Sequence, residues 1–307
     1  MIDQKKGIIY ASTAYILWGL YPLYWTMLNT IGAPEILVNR MFWSFVTLLV
    51  VIVVLRRFSL VKATLKELTS NKKKLALLIG ATALLSVNWF IFMYAIISGR
   101  VLESSLGYYI TPILSILIGV VVLKEKLNKY QVVAVVIASI GVLFLTITHG
   151  VFPWISILLA LTWGFYALAK KIINIDSFYG LFIETSLMLP VSGFFFTAWI
   201  VDGSSSFQQG NTLHTFLLMG AGVITIIPLY FFSKAVSRLP LKTIGFLQYI
   251  GPTIQLLVAV FVIGEDFSSD RFITFGFIWV ACLLFSTSHL LQNRSELKSK
   301  EKQISQT

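Results

Sequence analysis

Leu106-Gly107-Tyr108-Tyr109-Ile110-Thr111-Pro112 returns further along the chain as Gly245-Phe246-Leu247-Gln248-Tyr249-Ile250-Gly251-Pro252. At one constant offset Tyr109 falls on Tyr249, Ile110 on Ile250, Pro112 on Pro252, Leu117 on Leu257 and Glu125 on Glu265. Each copy sets aromatic rings, small residues and a helix-breaking proline inside an apolar run. Internal similarity over this length predicts a duplicated fold. In a membrane, a proline-interrupted segment at corresponding places in two halves points to a transport site.

The surroundings require a membrane. Of 307 residues, 57% are hydrophobic and only 12% are charged, whereas a soluble domain carries about 25% charged residues. The charges gather into short clusters between apolar runs of about 20 residues, the length that crosses a bilayer. The net charge of +11 does not predict a nucleic-acid partner, because the basic residues lie between apolar segments rather than on one face or arm. The single cysteine, Cys282, excludes an internal disulfide and a cysteine-based metal site. The basic start and apolar stretch up to Leu28 resemble a signal peptide. That stretch is too long for one, and more spans follow it, so it reads as a retained first helix.

Ten apolar segments follow one another: 7–28, 34–55, 75–97, 101–123, 130–148, 152–172, 177–200, 213–236, 242–263 and 271–292. Backbone inside a bilayer satisfies its own hydrogen bonds, so these segments are predicted helices. Arg56 to Lys74 reads equally as an interfacial helix or a solvated basic loop. The polar stretch from Asn293 is predicted to be disordered.

With the N-terminus inside, 21 of the 24 Lys and Arg residues fall on the inner side, leaving Arg40, Arg100 and Arg271 outside. Five helices per half is an odd number, so the second half is predicted to be inverted. The loop after helix 4, Leu123-Lys124-Glu125-Lys126-Leu127, returns after helix 9 as Ile263-Gly264-Glu265-Asp266-Phe267. It keeps the glutamate and sheds the lysines, as a loop that changed sides would. Trp18-Gly19-Leu20-Tyr21 in helix 1 likewise matches Trp163-Gly164-Phe165-Tyr166 in helix 6. The expected fold is an all-α membrane protein of ten transmembrane helices in two inverted five-helix repeats, residues 1–149 and 150–292. A polar tail, 293–307, follows, and both termini are cytoplasmic.

Two five-helix units with these Trp-Gly and Gly-Glu signatures resemble the EamA domain of the drug/metabolite transporter superfamily. Glu35-Ile36-Leu37 with Arg40, Trp43-Ser44-Phe45, Asn88-Trp89, Leu102-Glu103 and Ser105-Leu106-Gly107-Tyr108 resemble its RarD family, named for chloramphenicol sensitivity. Ile183-Glu184-Thr185, Leu189-Pro190, Gly222-Val223-Ile224-Thr225 and Gln248-Tyr249-Ile250-Gly251-Pro252-Thr253 continue the likeness, which spans roughly residues 5 to 292. The resemblance implies a secondary transporter with a central cavity lined from both halves. It does not imply a substrate.

Pro112 and Pro252 each free the carbonyl four residues back, and freed backbone groups bind solute where they face a cavity. A plain kink is the alternative. Pro22, Pro190 and Pro228 are weaker cases. The expected cavity residues are Trp18, Tyr21, Asn88, Trp89, Tyr108, Tyr109, Pro112, Trp163, Tyr166, Gln248, Tyr249 and Pro252. They offer ring faces and hydrogen bonds at a depth that suits interior packing or a cavity better than an interfacial belt.

A charge at depth is a functional-site hypothesis by default. Arg40 is expected to meet Glu103 near the outer face, and Glu184 to meet Lys242 near the inner face, as mirrored gates. Static structural pairs, or an Arg40 that snorkels to the interface, are the alternatives. Glu103 and Glu184 are the proton carriers if transport is proton-coupled. Glu125 reads as a cap or loop residue. No hydrolase, zinc-protease or phosphate-loop motif is present, so neither an enzyme nor a cofactor is expected. The expected partners are the lipid bilayer, a small-molecule solute and, under proton coupling, protons, in a monomer or homodimer of the cell membrane. A membrane scaffold or sensor and a lipid-acting membrane enzyme are the competing functions.

Overall fold

The computed structural model describes residues 2–149, 152–207, 212–264 and 269–304. Every element among them is helical. The first apolar segment is α1 (Ile2–Gly19) and α2 (Tyr21–Trp25), followed by a 3-10 turn over Thr26–Leu28. It breaks at Leu20 because Pro22 has no N–H for the carbonyl of Trp18. Next comes α3 (Ala33–Val54), which starts with Pro34 in its first turn, where a missing N–H costs nothing. The basic segment forms α4 (Phe58–Ser70), with Leu68 buried and Phe58 and Leu65 exposed. Of the two readings, the structure takes the helix.

α5 (Lys72–Ile97) starts on the side chain of Asn71, which accepts the amide of Lys74. Gly99, at φ +69°, makes the tight turn into α6 (Val101–Val121), which continues through Pro112 without a break. α7 (Lys129–His149) and α8 (Trp154–Ile173) follow, and Asn174 ends α8 in the left-handed region. Asp176 caps α9 (Ser177–Val201) by accepting the amides of Phe178 and Tyr179. Then come α10 (Thr212–Val236), α11 (Leu241–Gln248) and α12 (Ile250–Val258), the last ending in a wide turn over Ala259–Ile263. α13 (Ser269–Ile304) closes the chain.

Eight of these helical stretches are long and apolar enough to cross a membrane. α1, with Asp3, Lys5 and Lys6, and the apolar part of α13, Phe272–Ser288, are not among the eight. α13 does not stop at the membrane edge but runs on to Ile304, through the stretch expected to be disordered. That stretch is rich in good helix formers, with Glu296 four residues ahead of Lys300. Glu265, Asp266 and Phe267 of the mirrored loop lie outside the described residues.

Packing places the interior. α8 lies against α5 and α6, and α1 lies against α10 and α12. α3 packs on α9 and on α10, where Gly222 lets the backbones nearly touch: a Cβ there would stand 2.2 Å from the carbonyl carbon of Trp43. α7 and α13 pair at one edge, with Gly141 against Phe277. Gly141 is therefore used within the chain, while Gly276 faces open space.

Candidate functional site

A cavity of about 330 Å³ lies between these helices, at the small end of ligand sites. Its floor is Tyr15, Trp18, Trp163 and Leu229, and its rim is Trp25, Ile96 and Val101. Ile96 and Val101 are exposed, so the cavity opens at the end holding the α5–α6 turn. Below the floor, rings close the path: Trp18 meets Trp163 edge-on at 5.2 Å, Trp163 meets Phe232 at 5.0 Å, and Phe232 stacks on Tyr166 at 6.2 Å.

Of the expected cavity residues, Trp18, Tyr21, Asn88, Trp89, Tyr108, Trp163, Gln248 and Pro252 line this space. Tyr109, Pro112, Tyr166 and Tyr249 do not. Tyr109 and Tyr249 stand one residue from Tyr108 and Gln248, and one residue turns a helix by about 100°. Tyr249 is packed among Ile116, Phe246 and Phe285, and its hydroxyl donates to the carbonyl of Tyr109 at 3.4 Å. The Tyr109 ring meets Phe275 of α13. Pro112 sits at the crossing of α6 and α11, its carbonyl 2.7 Å from where a Cβ on Gly245 would be. Tyr166 lies under the floor and donates to Glu184 Oε2 at 3.2 Å.

The charged pairs also differ from expectation. Glu184 Oε1 takes Lys170 Nζ at 2.5 Å, both side chains being almost fully buried, at 1% and 4% exposure. Lys242 instead donates to the carbonyl of Lys126 at 2.5 Å and reaches Gln131 Oε1 at 3.5 Å. Glu103 pairs with Arg100, one turn back, at 2.6 Å. Arg40 makes no ion pair among the described residues. Its guanidinium lies 4.5 Å from the centre of the Trp89 ring and 5.6 Å from that of Trp25, on the cavity wall. Both gate pairs thus give way to partners closer in sequence. Lys170 faces Glu184 directly across the short turn between α8 and α9, while Arg100 is a near neighbour on its own helix entry.

Of the three weaker prolines, Pro22 and Pro228 shape the wall, while Pro190 does not line it. Pro22 frees the carbonyl of Trp18, and Gln255 Nε2 on α12 donates to it at 3.2 Å. Pro228 frees the carbonyl of Ile224, and the Tyr21 hydroxyl donates to it at 2.7 Å. The Asn88 amide nitrogen is tied to α8, donating to the carbonyl of Leu159 and to Thr162 Oγ1, each at 2.9 Å. Gln255 carried the signal that singled out Asn88, an amide deep in an apolar run, and could have been found by it. Lys170 carried none, because it sits beside Lys171 and reads as part of a basic loop.

At the closed end the two halves touch through polar groups. Glu125 Oε1 accepts the amide of Leu241 at 2.7 Å and Oε2 that of Lys242 at 2.9 Å, capping α11 from the other half of the chain. Arg238 reaches Asp3 at 3.1 Å. The described residues contain no group of three or more His, Cys, Asp or Glu side chains that could hold a metal ion.

The EamA-like transporter family matches the chain twice, over residues 5–147 and 153–287. An uncharacterized transporter of Bacillus subtilis, YojE, is 42% identical over 95% of this chain and 97% of its own length. Protein RarD of Escherichia coli is 37% identical over 96% of this chain and 99% of its own. A Pseudomonas aeruginosa relative named chloramphenicol-sensitive protein RarD is 28% identical over 94% of this chain and 97% of its own. One crystal structure superposes with a TM-score of 0.69 at 17% identity, over 95% of this chain and 99% of that one, a likeness of fold.

Proposed function

We propose that this chain, which belongs to the EamA-like transporter family and is a multi-pass membrane transporter, carries a small organic solute across the cell membrane by alternating access. One observation carries the reading. A cavity lined from both halves is open at one end and sealed at the other by aromatic rings and half-to-half polar contacts. That is the form of one end state of such a carrier.

α1 and the apolar part of α13 join the eight apolar stretches as ten spans in two inverted repeats, residues 1–149 and 150–292. The double family match supports this arrangement. So does the packing, in which α1 lies against α10 and α12 as α8 lies against α5 and α6. With both termini cytoplasmic, as the distribution of Lys and Arg favours, the cavity is open outward. Opening inward would part Glu125 from α11 and Lys242 from Lys126. The Lys170–Glu184 pair joins α8 and α9 of one half. If protons drive the cycle, Glu184 is placed to carry them, since its partner Tyr166 stacks on Phe232 beneath the floor.

The test is a thermal-shift and proteoliposome-flux screen of metabolites and amphenicol drugs, repeated with Gln248→Ala and Trp163→Ala. A solute that stabilises and crosses in wild type should do neither in the variants. Stabilisation that survives both substitutions would take the cavity out of the binding site. Absence of flux under every solute and proton gradient would make the protein a scaffold or sensor.

A further inference from the structure

Among the described residues Arg40 is the one charged residue on the cavity wall. Its guanidinium has ring faces on Trp89 and Trp25 for company but no carboxylate among the described residues, and its Nε is buried without a hydrogen-bond partner. An unpaired cation at membrane depth is expensive and calls for a partner. Glu103 is held by Arg100, and Glu35, five residues before Arg40 on α3, is held by Ser205 and Ser206. The remaining wall is made of rings, hydroxyls, the amides of Asn88, Gln248 and Gln255, and aliphatic side chains. Among the described residues four more buried polar atoms there lack partners: the Tyr15 hydroxyl, Trp163 Nε1, Thr225 Oγ1 and Gln248 Oε1.

Resting on the reading of the cavity as a solute site, we infer that it takes an organic anion, a carboxylate carried on a planar apolar body, with Arg40 as the counter-charge. A guanidinium binds a carboxylate through parallel N–H donors. Arg40 can do so while its face stays on Trp89. The plane of the solute then lies among Trp18, Trp89 and Trp163, where ring contacts add to burial. A cation would meet an uncompensated positive charge in a low-dielectric space and be rejected. A neutral analogue would leave the Arg40 donors unpaired and lose affinity for that reason.

The experiment uses the full chain in nanodiscs of zwitterionic lipid, which supply no anionic headgroup to compete. Dissociation constants are measured by isothermal titration calorimetry for indole-3-acetate, its neutral amide, the cationic tryptamine, and acetate alone. Indole-3-acetate should bind at least tenfold more tightly than each of the other three. Adding anionic phosphatidylglycerol should leave that order unchanged. Arg40→Gln should erase the preference for acid over amide, and Arg40→Lys should keep part of it. Trp89→Phe should weaken acid and amide alike.

Equal binding of acid and amide, binding of none of the four, or an acid affinity unchanged in a folded Arg40→Gln protein would overturn the inference. Loss of acid binding on adding phosphatidylglycerol would assign Arg40 to a lipid phosphate and overturn it too. If tryptamine binds best, and Gln248→Ala and Trp163→Ala abolish that binding, the cavity reading stands and only the anion assignment falls. If those two variants leave all binding intact, the cavity reading itself fails.

Discussion

Replacing Glu125 by alanine should loosen the sealed end at one known place. Its carboxylate accepts two amides of the first turn of α11, at 2.7 and 2.9 Å. Those amides have no partner within their own helix, and the positive end of the helix dipole favours the charge. A hydrogen bond to a charged group contributes about 1.5–3 kcal/mol. Glu125 is half-buried and water replaces part of what is lost, so about 2 kcal/mol for the pair is a sober figure. Since 1.4 kcal/mol is tenfold, the amides of Leu241 and Lys242 should exchange with deuterium roughly 30-fold faster in Glu125→Ala. Glu125→Gln keeps one acceptor oxygen and should fall between. The readout is exchange mass spectrometry on a peptide spanning α11, with a peptide of α7 as the internal control. If α11 exchanges no faster while α7 is also unchanged, the carboxylate does not hold the closed end. The half-to-half seal would then rest on packing alone.

Two further outcomes follow from burial and close approach. Lys170→Met or Glu184→Leu alone strands a buried charge and should cost about 3–5 kcal/mol, whereas the double variant should lie near wild type. SDS-driven unfolding of all four proteins reads this coupling, and single costs that simply add would show that the pair is not a unit. Gly222→Ala puts a methyl 2.2 Å from the backbone of Trp43 and should exceed the ~3 kcal/mol usual for overpacking. Gly276→Ala, which has nothing within 4 Å, should be neutral or gain up to ~1 kcal/mol from helix propensity. A folded, wild-type-stable Gly222→Ala protein would contradict the close α3–α10 contact.

What the chain discloses by pattern, and what it withholds, divides along physical lines. Segment length and apolarity placed the helices, because bilayer thickness and backbone hydrogen bonding allow little else. Depth along a helix then placed Trp18, Asn88, Trp163 and Gln248 near the cavity. Angle around the helix was not legible. Tyr109 and Tyr249 repeat most faithfully, yet their neighbours Tyr108 and Gln248 face the space, and a 100° turn separates the two cases. Apolar sequences give weak angular information, since lipid and protein interior are alike in polarity. Charge pairing failed for a different reason. Symmetry suggested Arg40–Glu103 and Glu184–Lys242. A buried charge takes whichever opposite charge or carbonyl its own turn delivers, and those were Arg100 for Glu103 and Lys170 for Glu184.

The cross-links around the cavity suggest which parts would move under the proposed alternation. α1 and α2 are tied to α10 and α12 by two bonds onto proline-freed carbonyls, Tyr21 to Ile224 and Gln255 to Trp18. α3 is locked to α10 at Gly222. On the other side, Asn88 ties α5 to α8, and Ser156 on α8 donates to the carbonyl of Glu103 on α6 at 2.5 Å. These bonds group α1, α2, α3, α10 and α12 against α5, α6 and α8, and each group draws helices from both halves of the chain. The cavity lies between the groups. At its floor the contact is ring on ring, Trp18 against Trp163, with no hydrogen bond between the two to break. Such a seam can open at low cost, whereas the proline-freed carbonyls would be stranded in an apolar interior if their donors left. The prolines thus do not act as hinges here. By creating acceptors that must be filled from another helix, they bind spans from opposite halves together and leave the aromatic seam as the place where the two bodies would part under that alternation.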